Sequence, residues 1–148
     1  MGRQPPAARS DYAAFQPVPT RWEDNDRYGH MNNAVHYRLV DTAVNRWLIG
    51  AGLLDLKAGD RIGLVVESGC RYHAEMGFPD DVTAGLRIGH LGGSSVCWEV
   101  GLFRNHDDRA TAEAHFVHVY VNAATRRPEP LPDSWRTKPS ASLNATTV

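Results

Sequence analysis

The chain has 148 residues, 42% of them hydrophobic and 22% charged, with a formal net charge of −1. That length suits one domain burying roughly 70% of its unfolded surface, so no disulfide or metal staple is needed. The near-zero charge excludes nucleic acid or an anionic membrane held by bulk electrostatics, and no apolar run approaches the ~18 residues of a membrane span.

Residues 1–16 are rich in Ala, Arg and Pro with no period, and they lack the apolar core of a signal peptide. They read as an extended or disordered arm. The body runs over residues 17–132 as a single domain, opening with a predicted strand at Val18–Glu23. From Asn33 to Leu48 the apolar positions Tyr37, Val40, Val44, Trp47 and Leu48 recur at threes and fours, which predicts an amphipathic helix. Asn32 or Asn33 can cap its start, and Gly50 and Gly52 suit its end. Its other face carries His36, Arg38, Asp41, Asn45 and Arg46.

Strand patterns follow the helix. Ile62–Glu67 is a short apolar run. Val82, Ala84, Leu86 and Ile88 alternate with polar or small residues, as do Val96, Trp98, Val100 and Leu102. Thr111–Val121 sets Ala112, Ala114, Phe116, His118 and Tyr120 opposite Glu113, His115, Val117, Val119 and Val121. Turn clusters at 77–81, 92–95 and 105–108 separate these runs. One helix among so many antiparallel strands packs on the sheet's apolar face, an α+β arrangement. From Pro128 the chain turns Pro-rich, and residues 133–148 read as an extended or disordered tail whose Trp135 can dock on the body. Cys70 and Cys97 match no metal spacing and no disulfide framework, as in a reduced, cytoplasmic domain.

The densest chemistry is Trp22-Glu-Asp-Asn-Asp-Arg-Tyr-Gly-His-Met-Asn-Asn33, between first strand and helix. As a calcium loop starting at Asp24 it fails at Tyr28 and at Val35, where an EF-hand needs an oxygen ligand and a bidentate Glu. As a zinc site it fails because His115 and His118 point to opposite faces of one strand, and His30 and His36 lack a third ligand nearby. Gly92-Gly-Ser-Ser-Val lacks the second glycine of a nucleophile elbow. What remains is a carboxylate, Asp26, beside the N–H groups of a helix start at Asn32-Asn33. That pair suits acyl transfer from a thioester: the helix N–H groups polarise the carbonyl while the carboxylate attacks or activates water. The residues alone equally allow Asp24 and Asp26 to be turn-formers and Asn33 a simple cap.

The segment Arg21–Tyr37 resembles the signature of hotdog-fold thioesterases of the 4-hydroxybenzoyl-CoA thioesterase family, Asp-x-Asp-x-x-Gly-His-Val-Asn-Asn followed by a helix with aromatic residues. Val65-Val-Glu67, Arg71-Tyr72, Phe78–Asp81, Leu91–Val96 and Arg127–Pro132 fit in order, so the resemblance covers residue 18 to about 132. It implies one long central helix wrapped by a curved antiparallel sheet of five or six strands. It implies hydrolysis of an acyl-CoA to free acid and CoA without metal or organic cofactor. Asp26 matches the catalytic carboxylate, and the Asn33 N–H matches the carbonyl-polarising donor. His30 and Asn32 match positions shaping the loop and pocket floor, and Gly92, Ser94 and Ser95 match the turn near the pantetheine arm. Two departures stand out. Gly93 replaces a basic or larger residue, and Tyr28 stands where many relatives are small.

Two rivals keep the substrate type. A hotdog hydratase or dehydratase would pair Asp26 with His30, and a non-catalytic acyl-CoA-binding module would only bind. Glu67 is a conceivable second acid or a strand-end residue, and Arg126 and Arg127 read as solvated. Trp22, Tyr28, Tyr37 and Trp47 suit aromatic and medium aliphatic acyl groups alike. Open strand edges and the outward Cys97, Phe103, His115, Val117, Val119 and Val121 predict a homodimer or homotetramer, and the resemblance implies a site shared between subunits.

Overall fold

A helix with one apolar stripe has to lie along something, and α1 (Asn33–Gly50) lies along a sheet. The computed structural model describes residues 4–54 and 59–136. The helix begins where Asn32 Oδ1 accepts the Ala34 N–H at 2.9 Å, satisfying a first-turn donor that no helical carbonyl reaches. It ends two residues beyond the expected Leu48. Gly52 turns into the left-handed region at φ +73°, so the Leu53 N–H returns to the Leu48 carbonyl and the Gly52 N–H to that of Ile49.

The buried stripe is His36, Leu39, Val40, Ala43, Val44 and Leu48. Each fully buried aliphatic side chain there contributes roughly 1.5–3 kcal/mol. His36, expected on the polar face, is instead buried one turn before Val40, its ring edge-on to Tyr72 with centroids 4.8 Å apart. Tyr37 and Trp47 flank the stripe half-buried, leaning on Phe116 and Trp98.

The strands are β1 (Ala14–Pro17), β2 (Arg61–Tyr72), β3 (Val82–Leu91), β4 (Ser95–Arg104) and β5 (Ala112–Asn122). They form one antiparallel sheet in the order β1-β3-β4-β5-β2. Bulges at Val65/Glu67 in β2 and Ile88/His90 in β3 add local twist, and the curved sheet wraps α1 as a hotdog fold. The expected alternation holds on β5, where Ala112, Ala114, Phe116, His118 and Tyr120 are buried while 113, 115, 117 and 119 are half-exposed.

The first strand lies earlier than Val18–Glu23. Pro17 and Pro19 bracket Val18, and proline has no N–H for a ladder, so the strand ends at Pro17 and Trp22–Asp24 forms a 3-10 turn. The stretch expected to run free as an arm thus carries an edge strand, and its preceding residues are anchored too. Tyr12 lies across the paired Gly85 and Gly101, where a Cβ would meet its ring, and its edge meets Phe103. Phe103 and Val121, expected to face outward bare, are therefore buried, the latter bridged to Pro128. At the other end Trp135 is docked against Tyr120 and Trp98, while residues 137–148 lie outside the described residues. Among the described residues no helix is long and apolar enough to cross a membrane.

Candidate active site

The loop from Asp24 to Asn32 closes on itself before it enters α1. The Asp26 N–H donates to the His30 carbonyl at 2.7 Å, Asn25 and Met31 form a bridge, and the Asn32 N–H donates to the Asp24 carbonyl at 2.9 Å. Gly29 makes the reversal possible at φ +82°, a conformation that side chains resist. Closure brings Asp26 next to the helix start. Asp26 Oδ1 accepts the N–H groups of Tyr28 at 2.9 Å and His30 at 3.3 Å. Among the described residues both bonds fall on one oxygen, which leaves Oδ2 for a substrate or a water. Asn33 is the first helical residue, and its N–H is among those a helix cannot satisfy internally. A carboxylate and a helix-start N–H are the two kinds of group that attack on a polarised carbonyl uses.

Asp24 takes a different part. Its side chain is 0% exposed. Oδ2 accepts the Arg21 N–H at 2.7 Å, and Oδ1 takes the Arg21 guanidinium at 3.1 and 3.2 Å and Arg38 Nη2 at 2.8 Å. Burial pushes the carboxyl upward, but the Arg21 N–H and guanidinium, followed by Arg38, outweigh it and hold Asp24 below the usual carboxylate range.

The remaining candidates divide between two places. His30 stays at the loop, its Nε2 3.1 Å from Glu75 Oε2, on a cleft of about 280 Å³ shared with Phe78, Asp80 and Arg104. Asn32 is the cap. Gly92, Ser94 and Ser95 form the β3–β4 turn, where the Gly92 N–H meets the Ser95 carbonyl and the Ser94 carbonyl takes the Tyr120 N–H. That turn lies at the far end of β3 from Val82, roughly 30 Å of strand away from the loop. One chain therefore brings Asp26, His30, Asn32 and Asn33 together and leaves Gly92, Ser94 and Ser95 apart. Glu67 is exposed on β2 with its carboxylate 3.4 Å from His115 on the outer face, not beside Asp26. The four aromatic candidates also separate. Trp22 and Tyr28 are 82% and 76% exposed on the loop, Tyr37 lies along α1, and Trp47 sits at its far end against Trp98.

Sequence reasoning missed the arginine pair around Asp24 and the 73–80 segment that braces the loop. The Met31 N–H reaches the Met76 carbonyl, while Asn25 brackets Phe78 with an acceptor at 2.9 Å and a donor at 3.2 Å. Tyr72 donates to the Asn33 carbonyl at 3.2 Å, and burial, then Cys70, push its phenol up to about 12. No local pattern links residues about fifty positions apart. Arg38 was visible only as one more charge on a polar helix face.

Known proteins match this arrangement closely. The PA5185 protein of Pseudomonas aeruginosa strain PAO1 is 45% identical over 94% of this chain and 97% of its own, with a TM-score of 0.89. The PA2801 protein of Pseudomonas aeruginosa is 32% identical over 84% of this chain and 96% of its own, at a TM-score of 0.78. A thioesterase of Thermus thermophilus, solved with coenzyme A and zinc, is 27% identical over 90% of this chain and 96% of its own, at 0.76. A comparison with curated proteins gives no match. The profile of the thioesterase-like superfamily matches residues 20–138, which include the Asp26 loop, the helix and the whole of β2 to β5. With that span and this geometry, the chain belongs to the thioesterase-like superfamily and is a thioester hydrolase on the hotdog fold.

Proposed function

We propose that the chain hydrolyses an acyl-CoA to free acid and CoA, with Asp26 as nucleophile or general base and the Asn33 N–H polarising the thioester carbonyl. The observation that carries this reading is the closed loop, which holds Asp26 by Oδ1 on the Tyr28 and His30 N–H groups just before the helix that Asn33 opens. Attack at the acyl carbon, by the carboxylate or by a water it deprotonates, moves the carbonyl π electrons onto oxygen, where the helix N–H stabilises them. Collapse of that intermediate expels the CoA thiolate. If the carboxylate attacks, an acyl–Asp26 anhydride forms and water hydrolyses it. A CoA ester as substrate is supported by the Thermus thermophilus relative, solved with coenzyme A.

The active form is a homodimer or homotetramer. Leu64, Val65 and Val66 are exposed on the edge strand β2, the latter two at 51% and 61%, and a bare apolar edge is a template for another strand. Separation of the Gly92–Ser95 turn from Asp26 within one chain supports a site in which a second copy brings that turn to a substrate bound at Asp26, His30 and Asn32 of the first. In this reading the hydratase pairing of Asp26 with His30 loses support, because the His30 ring is engaged by Glu75.

The test is turnover of acetyl-, octanoyl- and benzoyl-CoA followed with a thiol reagent, alongside crotonyl-CoA followed by its enoyl absorbance. Release of free CoA is expected. Loss of the enoyl signal without thiol release would establish the hydratase instead, and binding without either change the acyl-CoA-binding module. Light scattering should give at least twice 16.4 kDa, and a fully active species at the monomer mass would remove the shared site.

A further inference from the structure

Asp24 and Asp26 are two residues apart, and the chemistry above uses only the second. Asp24 is 0% exposed, so a substrate has no surface through which to touch it, and among the described residues the bonds to its carboxylate come from Arg21 and Arg38. A turn-forming aspartate needs no such enclosure. Burying a carboxylate costs several kcal/mol unless partners replace the water, so a plain turn would leave it exposed.

What the enclosure joins is informative. Arg21 stands where the loop begins. Arg38 stands on the second turn of α1, fourteen residues beyond Asp24, and its Nη2 reaches Asp24 Oδ1 at 2.8 Å. The Asp24 backbone carbonyl meanwhile takes the Asn32 N–H just before the helix. One residue therefore holds the loop's start, its end and the side of the helix. Asp26 and Asn33 both lie inside the ring closed by the Asp24–Arg38 bond. Any slide of the loop along α1, or rotation of α1 under the loop, must break that bond or tear the Asn32 N–H from Asp24.

Resting on the reading in Proposed function, we infer that Asp24, braced by Arg21 and Arg38, is the positioning residue that sets Asp26 against the Asn33 N–H. It acts through backbone geometry, holding the loop amides that cradle Asp26 Oδ1, and makes no contact with the reacting atoms. The carboxylates thus have divided roles: one is locked by cations to give rigidity, the other keeps an open oxygen for chemistry.

Three variants test it: Asp24→Asn, Arg38→Lys and Arg38→Met. Backbone amide exchange, kinetics on the acyl-CoA that the wild type turns over best, and coenzyme A binding stoichiometry would be measured on each. In Asp24→Asn the amides of Asp26, Tyr28, His30 and Asn32 should exchange at least about tenfold faster while β3 to β5 stay protected. Its kcat should fall about 10²-fold, as misplacement near 1 Å does. KM should stay within about twofold, with coenzyme A stoichiometry unchanged, which separates mispositioning from loss of folded protein. Arg38→Lys keeps a cation and should retain more kcat than Arg38→Met. If Asp24→Asn does not fold, Arg38→Met carries the test, since the Arg38 side chain is 39% exposed. Wild-type exchange in the loop, or near wild-type kcat in a folded variant, would overturn the proposal. A wild type that turns over no acyl-CoA would sink the chemical reading separately, and loosened loop amides would then support the anchor alone.

Discussion

The two ends of α1 rest on different kinds of structure. At its N-terminus a set of polar contacts gathers: the Asn32 cap, the Asp24–arginine cluster, the Asp26 cradle and the His30–Glu75 pair. At its C-terminus the contacts are aromatic. Trp47 meets Trp98 at 5.7 Å, Trp98 meets Trp135 at 6.5 Å, and Trp135 meets Tyr120 at 4.8 Å between ring centroids. Directional bonds fix atoms in place but add little net stability, about 0.5–1.5 kcal/mol each. Apolar burial is non-directional and strongly stabilising. The molecule therefore separates placement from stability along a single helix, with the proposed chemistry at the polar end and the aromatic packing at the other.

The sharpest way to break this contrast is to damage the aromatic end. Trp98→Ala should cost about 3–5 kcal/mol in a denaturant titration, because a fully buried Trp leaves a cavity that only partly collapses. The folded fraction should keep its turnover per site. A stable Trp98→Ala protein with ruined kcat would show that the ends are not separable.

The converse change comes next. Asp26→Asn keeps size and removes charge, so turnover should fall about 10²-fold or more, near 2.7 kcal/mol of barrier. Its thermal melt should match the wild type. If Asp26→Asn stays active while Glu67→Gln does not, the catalytic carboxylate belongs on β2.

Acid should separate the ends by pH. Buried His118 lies between Phe116 and Tyr120, and burial lowers its pKa from 6.5. The unfolded chain then binds the proton more readily, so stability is lost as pH falls below about 6.5. Asp24 is also lowered, from 3.8, and the stability it contributes is present above that value and lost as pH falls through its lower folded one. Buried His36 is lowered in the same way as His118 and adds to the same upper range. Melting temperature against pH should show two limbs. His118→Phe should reduce the upper one, leaving the part His36 contributes, and Asp24→Asn should reduce the lower. A single limb, unchanged by either substitution, would contradict both assignments.

The smallest expected effect is none. Turnover after exhaustive chelation should equal that of the untreated enzyme, because the proposed chemistry runs through this chain's own carboxylate and helix N–H. Loss of activity restored by a stoichiometric metal would move the mechanism to another site.

Much of this was legible in the residues themselves. The α1 spacing of threes and fours, the alternation on β3, β4 and β5, and the Asp-x-Asp-x-x-Gly-His-x-Asn-Asn run are local patterns, and local geometry reads them directly. The first strand, expected at Val18–Glu23, falls at Ala14–Pro17 instead, because Pro19 cannot donate to a ladder and Trp22–Asp24 turns. Residues 1–16 read as an extended or disordered arm because their anchors, Tyr12 on a glycine pair, the Ala8–Arg109 bridge and the β1–β3 ladder, join residues far apart in sequence and have no period.

Sequence by itself determined the helix, the antiparallel strands and the loop that holds Asp26, because hydrophobic period and turn chemistry act over a few residues. Only the tertiary structure decided that His36 is buried, that Asp24 is enclosed by Arg21 and Arg38, and that Gly92–Ser95 lies at the opposite end of the sheet from Asp26. Those facts depend on which distant segments share a face. Burial and ion pairing change a side chain's role without changing the pattern around it, so a carboxylate that reads as a turn-former became the brace of the loop.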